Sequence, residues 1–326
     1  MEATYINITE KRKFFVEEKT TLAFLAVSFL ACALFGVDYF KNIGEYLFFF
    51  FGMLISTFLG VTIFGWLAFK TQNPFTRENT LTIARMIIAL FLGFYAFSHM
   101  KVLIPLINSA NYDDLFSRMD KFLFFGHSPT LLLLNIKSAF FAKLMSLSYA
   151  SFYAAFPISF AAAFLSRNTL EMRRLVLGII LICFFGLALF YLFPSLGPLF
   201  YTPELFADIP NKWQKILWDG HLAIQANRSN FAASPFLGIA ALPSLHGAHA
   251  LFLVLIAHKY HRKLFYAYLP WIVLLYVSTV YLGWHYVVDL LCGAVIAIVC
   301  LDIVAQVFRP ANRTSRTKVL RYMSNS

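Results

Sequence analysis

Apolar residues in this chain come in long blocks, not in the strict alternation of a half-buried strand or the one-sided stripe of a surface helix. Tyr46 to Phe69 runs for 24 residues without an Asp, Glu, Lys or Arg, and Leu144 to Ser166 for 23. A bilayer crossing takes about 20 mostly apolar residues. The blocks predict eight spans, near 20–37, 46–69, 84–107, 145–166, 175–195, 243–258, 264–283 and 285–308. The expected fold is all-α, a polytopic membrane helix bundle.

The polar interruptions set its orientation. Basic residues precede the first span (Lys11, Arg12, Lys13, Lys19), then join spans two to three (Lys70, Arg77), four to five (Arg167, Arg173, Arg174) and six to seven (Lys259, Arg262, Lys263). Arg309, Arg313, Arg316, Lys318 and Arg321 follow the last. Eight crossings place all five groups on one side, and cytoplasmic loops carry the Lys/Arg excess. Both termini are therefore expected in the cytoplasm. The outer side receives 38–45, 108–144 and 196–242. Within these, Pro129 to Lys143 reads as an interfacial helix or a cap on the bundle, and 196–242, with Trp213 and Trp218, as a segment at the headgroups.

Composition agrees: 60% of residues are hydrophobic, 13% are charged and mean hydropathy is +0.69. The net charge of +11 sits in those short loops, not in a basic tract interleaved with aromatics, so nucleic acid is not an expected partner. Cys32, Cys183, Cys292 and Cys300 all fall inside apolar blocks, without metal-ligand spacing. Ala31-Cys32-Ala33 resembles a cleavage tripeptide, but it lies within an apolar run behind a charged leader, and a retained helix is expected.

Ionisable groups inside spans are costly and point to function. Ala241-Leu242-Pro243-Ser244-Leu245-His246 opens the sixth span, with Ser244 a candidate N-cap. Its first turn offers backbone N–H groups suited to phosphate. Tyr281 to Asp289 opens the eighth, and there the spacing places His285 and Asp289 on one helix face. Asp289 can then hold one imidazole nitrogen while the other meets substrate. Both clusters fall at outer span ends. His99, His127, His221, His258 and His261 read as interfacial or packing residues, and so does His249 more readily than as a partner of His246. Asp302 reads as snorkelling or pairing with Arg309.

Pro-Ser-x-His followed some forty residues later by His-Tyr-x-x-Asp resembles the type 2 phosphatidic acid phosphatase superfamily. The resemblance implies a six-helix catalytic core, His285 as the nucleophile that becomes a phosphohistidine, Asp289 as its partner and His246 as the general acid. Pro243-Ser244-Leu245-His246, the Tyr281–Asp289 stretch and Asp120-Lys121-Phe122-Leu123-Phe124-Phe125-Gly126-His127-Ser128-Pro129-Thr130 resemble the inositolphosphotransferase-like branch, which includes fungal inositol phosphorylceramide synthase. Pro194-Ser195-Leu196-Gly197-Pro198 resembles that branch's proline-rich turn. One departure is chemical: Ser278-Thr279 stands where the phosphatases have Ser-Arg, so that phosphate-clamping arginine is missing. Candidates for phosphate or substrate binding are Ser244, Asp120, Lys121, Lys212, Lys215 and Arg228, with Arg118 a further cation.

These readings divide the chain into a leader with two accessory spans (1–80), a catalytic membrane domain (81–308) and a basic cytoplasmic tail (309–326). The expected activity is lipid phosphotransfer from a lipid donor to a hydroxyl acceptor, with no cofactor and no metal. The alternative is a lipid phosphate phosphatase, and beyond it a transporter or lipid-binding protein. Nothing in the sequence sets an oligomeric state.

Overall fold

The computed structural model describes residues 14–40, 42–68, 77–136, 138–166, 169–207, 209, 212–226 and 238–309. Regular structure there is helical throughout. In chain order the helices are α1 (Val16–Leu34), α2 (Ile43–Ala68), α3 (Arg77–Val102), α4 (Ile104–Ile107), α5 (Asp113–Leu123), α6 (Pro129–Leu134) and α7 (Ala139–Ala150). There follow α8 (Phe152–Leu165), α9 (Thr169–Leu192), α10 (Pro198–Tyr201), a 3-10 turn Pro203–Phe206, α11 (Lys212–Ala226), α12 (Leu245–Tyr260), α13 (Arg262–Tyr281) and α14 (Val287–Val307).

Among the described residues four stretches are long and apolar enough to cross a membrane: Leu81–Ile107, α9, α13 and α14. A fifth is the pair α7–α8, bent by 41°. The predicted span 145–166 is thus a broken one. It begins earlier than expected, where Ser138 caps α7 by accepting from the Phe141 N–H at 3.3 Å. The interfacial element expected over Pro129–Lys143 is correspondingly shorter, only α6, because Phe140, Phe141 and Lys143 belong to α7. By length and composition α12 falls short, with 16 residues, and α1 carries Glu17, Glu18 and Lys19 in its first turn.

α12 is the central helix. Ala248, Ala250 and Phe252 on it are completely enclosed, and its core partners come from α3, α8, α9, α13 and α14. Its approach to α14 is backbone on backbone: a Cβ at Gly293 would sit 2.4 Å from the Ser244 carbonyl oxygen. Only glycine permits this contact. At the opposite end of the bundle, α1 is tied to its neighbours by ion pairs, Glu17 to Arg173 at 2.5 Å and Glu18 to Arg85 at 2.5 Å. The Phe15 ring lies between those two guanidiniums, 3.8 and 3.9 Å from its centroid. Asp302 accepts from Gln306 at 2.5 Å, on its own helix.

Candidate active site

The starts of α12 and α14 lie side by side. Ser244 is the N-cap of α12: its Oγ accepts from the Gly247 N–H at 3.2 Å, and its own N–H donates to the Asp289 carbonyl at 2.9 Å. The side chain is wholly enclosed, so its oxygen serves the helix end. His246 follows in the first turn. Its Nε2 is 3.2 Å from the Tyr149 hydroxyl of α7, and the Phe152 ring of α8 packs 4.6 Å away.

His285 stands just ahead of α14, not on it, so the shared helix face expected from its spacing to Asp289 is not how the two meet. Asp289 occupies the first turn and folds back, accepting from the Tyr286 N–H at 2.9 Å. That brings its Oδ2 to 3.4 Å from His285 Nδ1. The shorter contact of Nδ1, at 3.0 Å, is to the Ala241 carbonyl. Both neighbours of Nδ1 are acceptors, so that nitrogen carries the hydrogen and Nε2 keeps its lone pair. The rings of His246 and His285 are 5.8 Å apart.

Two outer elements hold the His285 segment in place. In the turn before α10, Gly197 (φ +88°) lies so close that a Cβ would be 2.6 Å from the Trp284 carbonyl oxygen, and the Leu199 N–H donates to Gly283 O at 2.7 Å. Trp284 stacks on Tyr149 at 5.7 Å, which joins the wall behind His246 to the segment carrying His285.

α5 is the second. Asp120 accepts from the Val287 and Val288 N–H groups at 2.8 and 2.9 Å, capping α14 from outside. Two turns earlier Asp113 accepts from the Leu196 and Gly197 N–H groups at 2.7 and 2.8 Å, and from the Tyr286 hydroxyl at 3.1 Å. Burial raises the Asp113 carboxyl against these bonds. It pushes Asp120 up to about 6, opposed by the two N–H donors. Asp120 is therefore turned to the helix end and not to an open binding surface.

The other candidates do not gather at the histidines. Lys121 and Lys215 are exposed. Arg118 is paired at the surface with Asp114 at 2.7 Å. Lys212 begins α11, but its side chain and the whole of Arg228 lie outside the described residues, as do the basic leader and tail. His249 is a packed residue, with Nδ1 2.8 Å from the Leu245 carbonyl. Sequence reading missed Asp113, Tyr149 and the Ala241 carbonyl.

Two imidazoles so placed, one with a free lone pair and one able to pass a proton, suit an anion between them. No curated protein and no solved structure matches the chain. A family model does, that of the PAP2 superfamily, over residues 114–303, more than half of the chain and from α5 through most of α14. Superfamily members are typically phosphatases or phosphotransferases. With both histidine clusters and Asp120 of α5 inside the matched segment, the chain belongs to the PAP2 superfamily.

Proposed function

We propose that this protein is a membrane lipid phosphotransferase of the inositolphosphotransferase-like branch, working through a phosphohistidine at His285. The observation that carries the reading is the pairing of two rings 5.8 Å apart, one of them with Nδ1 held by two acceptors. His285 Nε2 attacks phosphorus. An N–P bond forms as the P–O bond to the leaving alcohol breaks, and His246, protonated at the outset, gives its proton to that oxygen. Asp289 offsets the positive charge that grows on the His285 ring. An acceptor hydroxyl then attacks phosphorus, its proton passes to His246, and the P–N electron pair returns to His285. Nucleophile and acid are both imidazoles, so the steps call for no metal. Ser278 and Thr279, in place of Ser-Arg, bond carbonyls of their own helix at 2.7 and 2.8 Å, which favours the transferase branch over the phosphatases.

The same reading assigns eight crossings, a six-helix core within 81–308, accessory spans before it and a cytoplasmic tail after it. It places both termini in the cytoplasm and the histidines on the outer side. The test is product analysis. Purified protein given labelled lipid donors should turn over several-fold faster with a polyol or lipid-hydroxyl acceptor, with the label ending on the acceptor. Inorganic phosphate released at one rate whatever the acceptor identifies a phosphatase. Binding of lipid without turnover, unchanged in His285→Ala, identifies a carrier.

A further inference from the structure

The segment that holds His285 has a second partner, and that partner lines a cavity. The Ser195 carbonyl accepts from the Ala241 N–H at 3.0 Å, and the Ser195 Oγ accepts from the Leu242 N–H at 3.0 Å. Ser195 also lines a cavity of about 80 Å³, walled by the end of α4, the loop after it, the turn before α10, and α11. The path from there to His285 runs through the Ala241 carbonyl and ends on Nδ1. It does not reach the Nε2 left for substrate, so the cavity is separate from the gap between the two histidine rings. One water needs roughly 10–15 Å³ of such space, so the cavity has room for a molecule of several heavy atoms.

Its wall is polar in one part and apolar in another. Among the described residues no Lys, Arg, Asp or Glu lines it. Asn108 is fixed in the wall by its amide, which donates to the Tyr191 carbonyl at 2.8 Å, and Ser195 keeps its hydroxyl hydrogen to give. His221 of α11 is less well served. It is 6% exposed, its Nδ1 is enclosed without a hydrogen-bond partner among the described residues, and Trp218 stacks on its ring at 5.6 Å. A buried polar atom left in that state is costly. Burial holds this imidazole below its ordinary pKa, so it is neutral, with one nitrogen to donate and one to accept. The buried side chains of Ile104 and Ile239 supply the apolar part. Ordered water would answer the imidazole but gain nothing from the isoleucines. A charged molecule would find no counter-charge here. Hydroxyls on a carbon frame suit both parts, the O–H groups meeting His221 and Ser195 and the C–H faces lying on the isoleucines.

We propose that this cavity is a binding site for a small uncharged polyol or sugar, separate from the reacting histidines, with His221 as its central hydrogen-bonding group. Its test uses the full-length protein in detergent micelles with glycerol and xylitol as probes. The readout is the fluorescence of Trp218 against His221, with far-UV circular dichroism as the check on folding. Emission should change saturably, with half-saturation in the millimolar range. Trp218→Phe, which removes the reporter, should abolish the signal. His221→Phe keeps an aromatic ring against Trp218 but has no nitrogen, and should weaken binding by about tenfold or more. Should His221→Phe not fold, Ser109→Phe at the exposed rim should obstruct the cavity and weaken binding likewise, with the buried wall left intact. A wild-type signal that does not saturate, that persists in Trp218→Phe, or that is unchanged in a folded His221→Phe or in Ser109→Phe overturns the site. Saturation by inorganic phosphate or tetramethylammonium, without a response to either polyol, overturns the uncharged ligand class. None of these readings needs turnover, so the outcome is independent of the chemistry at His246 and His285.

Discussion

At the scale of single residues, the two acceptors at His285 Nδ1 divide the labour between orientation and charge. On the proposed mechanism the Ala241 carbonyl keeps the hydrogen on Nδ1, whereas Asp289 adds the negative charge that a phosphorylated ring would need. His285→Ala should therefore abolish turnover and any acid-labile phosphoenzyme. Asp289→Asn should lower the rate by about a hundredfold and leave the phosphoenzyme detectable by ³²P trapping, in the range typical of a lost electrostatic contribution. An Asp289→Asn variant as inactive as His285→Ala would mean that the carbonyl cannot orient the ring unaided. His246, His285 and Asp289 stood out in the sequence because ionisable groups in apolar blocks are rare. The Ala241 carbonyl and Tyr149 did not: they reach the histidines across 44 and 97 residues of chain, and no local pattern records such contacts.

Helices and their joins account for most of the difference between expectation and structure. α5 turns acidic residues inward, Asp113 and Asp120, and exposes Leu115, Met119 and Phe122. Asp114, Arg118 and Lys121 are exposed beside these apolar residues while Phe116 is buried, so a reading based on apolar faces does not single out the two buried acids. The acids are inside because they meet backbone N–H groups of other segments. For Asp120 the carboxyl moves from an ordinary 3.8 to about 6. A carboxyl raised in the folded protein contributes stability that is fully present below its unfolded value and is lost as pH rises through the folded one. Wild type minus Asp120→Asn stability should thus fall by on the order of 3 kcal/mol between pH 4 and 7, seen as a shrinking difference in apparent Tm. A difference that grows with pH would contradict the burial argument. At the α12–α14 contact, Gly293→Ala should lower both Tm and turnover although alanine is the better helix former, because the new Cβ meets the Ser244 backbone. A more stable and fully active Gly293→Ala would rule out a rigid contact there.

The all-helical bundle of the whole molecule was legible in its long apolar blocks. Their number was less so, because span counting relies on length and low charge. α12 is too short, α1 begins with Glu17 and Glu18 held by Arg173 and Arg85, and part of the α2–α3 connection lies outside the described residues. Sidedness remains with the basic loops. Both Lys215 on α11 and Arg262 at the start of α13 are exposed. In intact cells or right-side-out vesicles, Lys215→Cys should react with an impermeant maleimide and Arg262→Cys only after permeabilisation. The opposite labelling would turn the histidines to the cytoplasm.

The length of α12 carries one more consequence. Sixteen residues rise about 24 Å, against roughly 30 Å of hydrocarbon. On the topology proposed above, with its far end at the basic side, the end bearing His246 would stop several ångströms beneath the opposite headgroups. A lipid would then reach the histidines by sideways diffusion within its leaflet, its tails never leaving oil, and the relevant concentration would be two-dimensional. Turnover in vesicles should track the mole fraction of donor lipid: diluting it with inert phosphatidylcholine should slow the reaction, whereas diluting the vesicle suspension with buffer should leave turnover per protein unchanged.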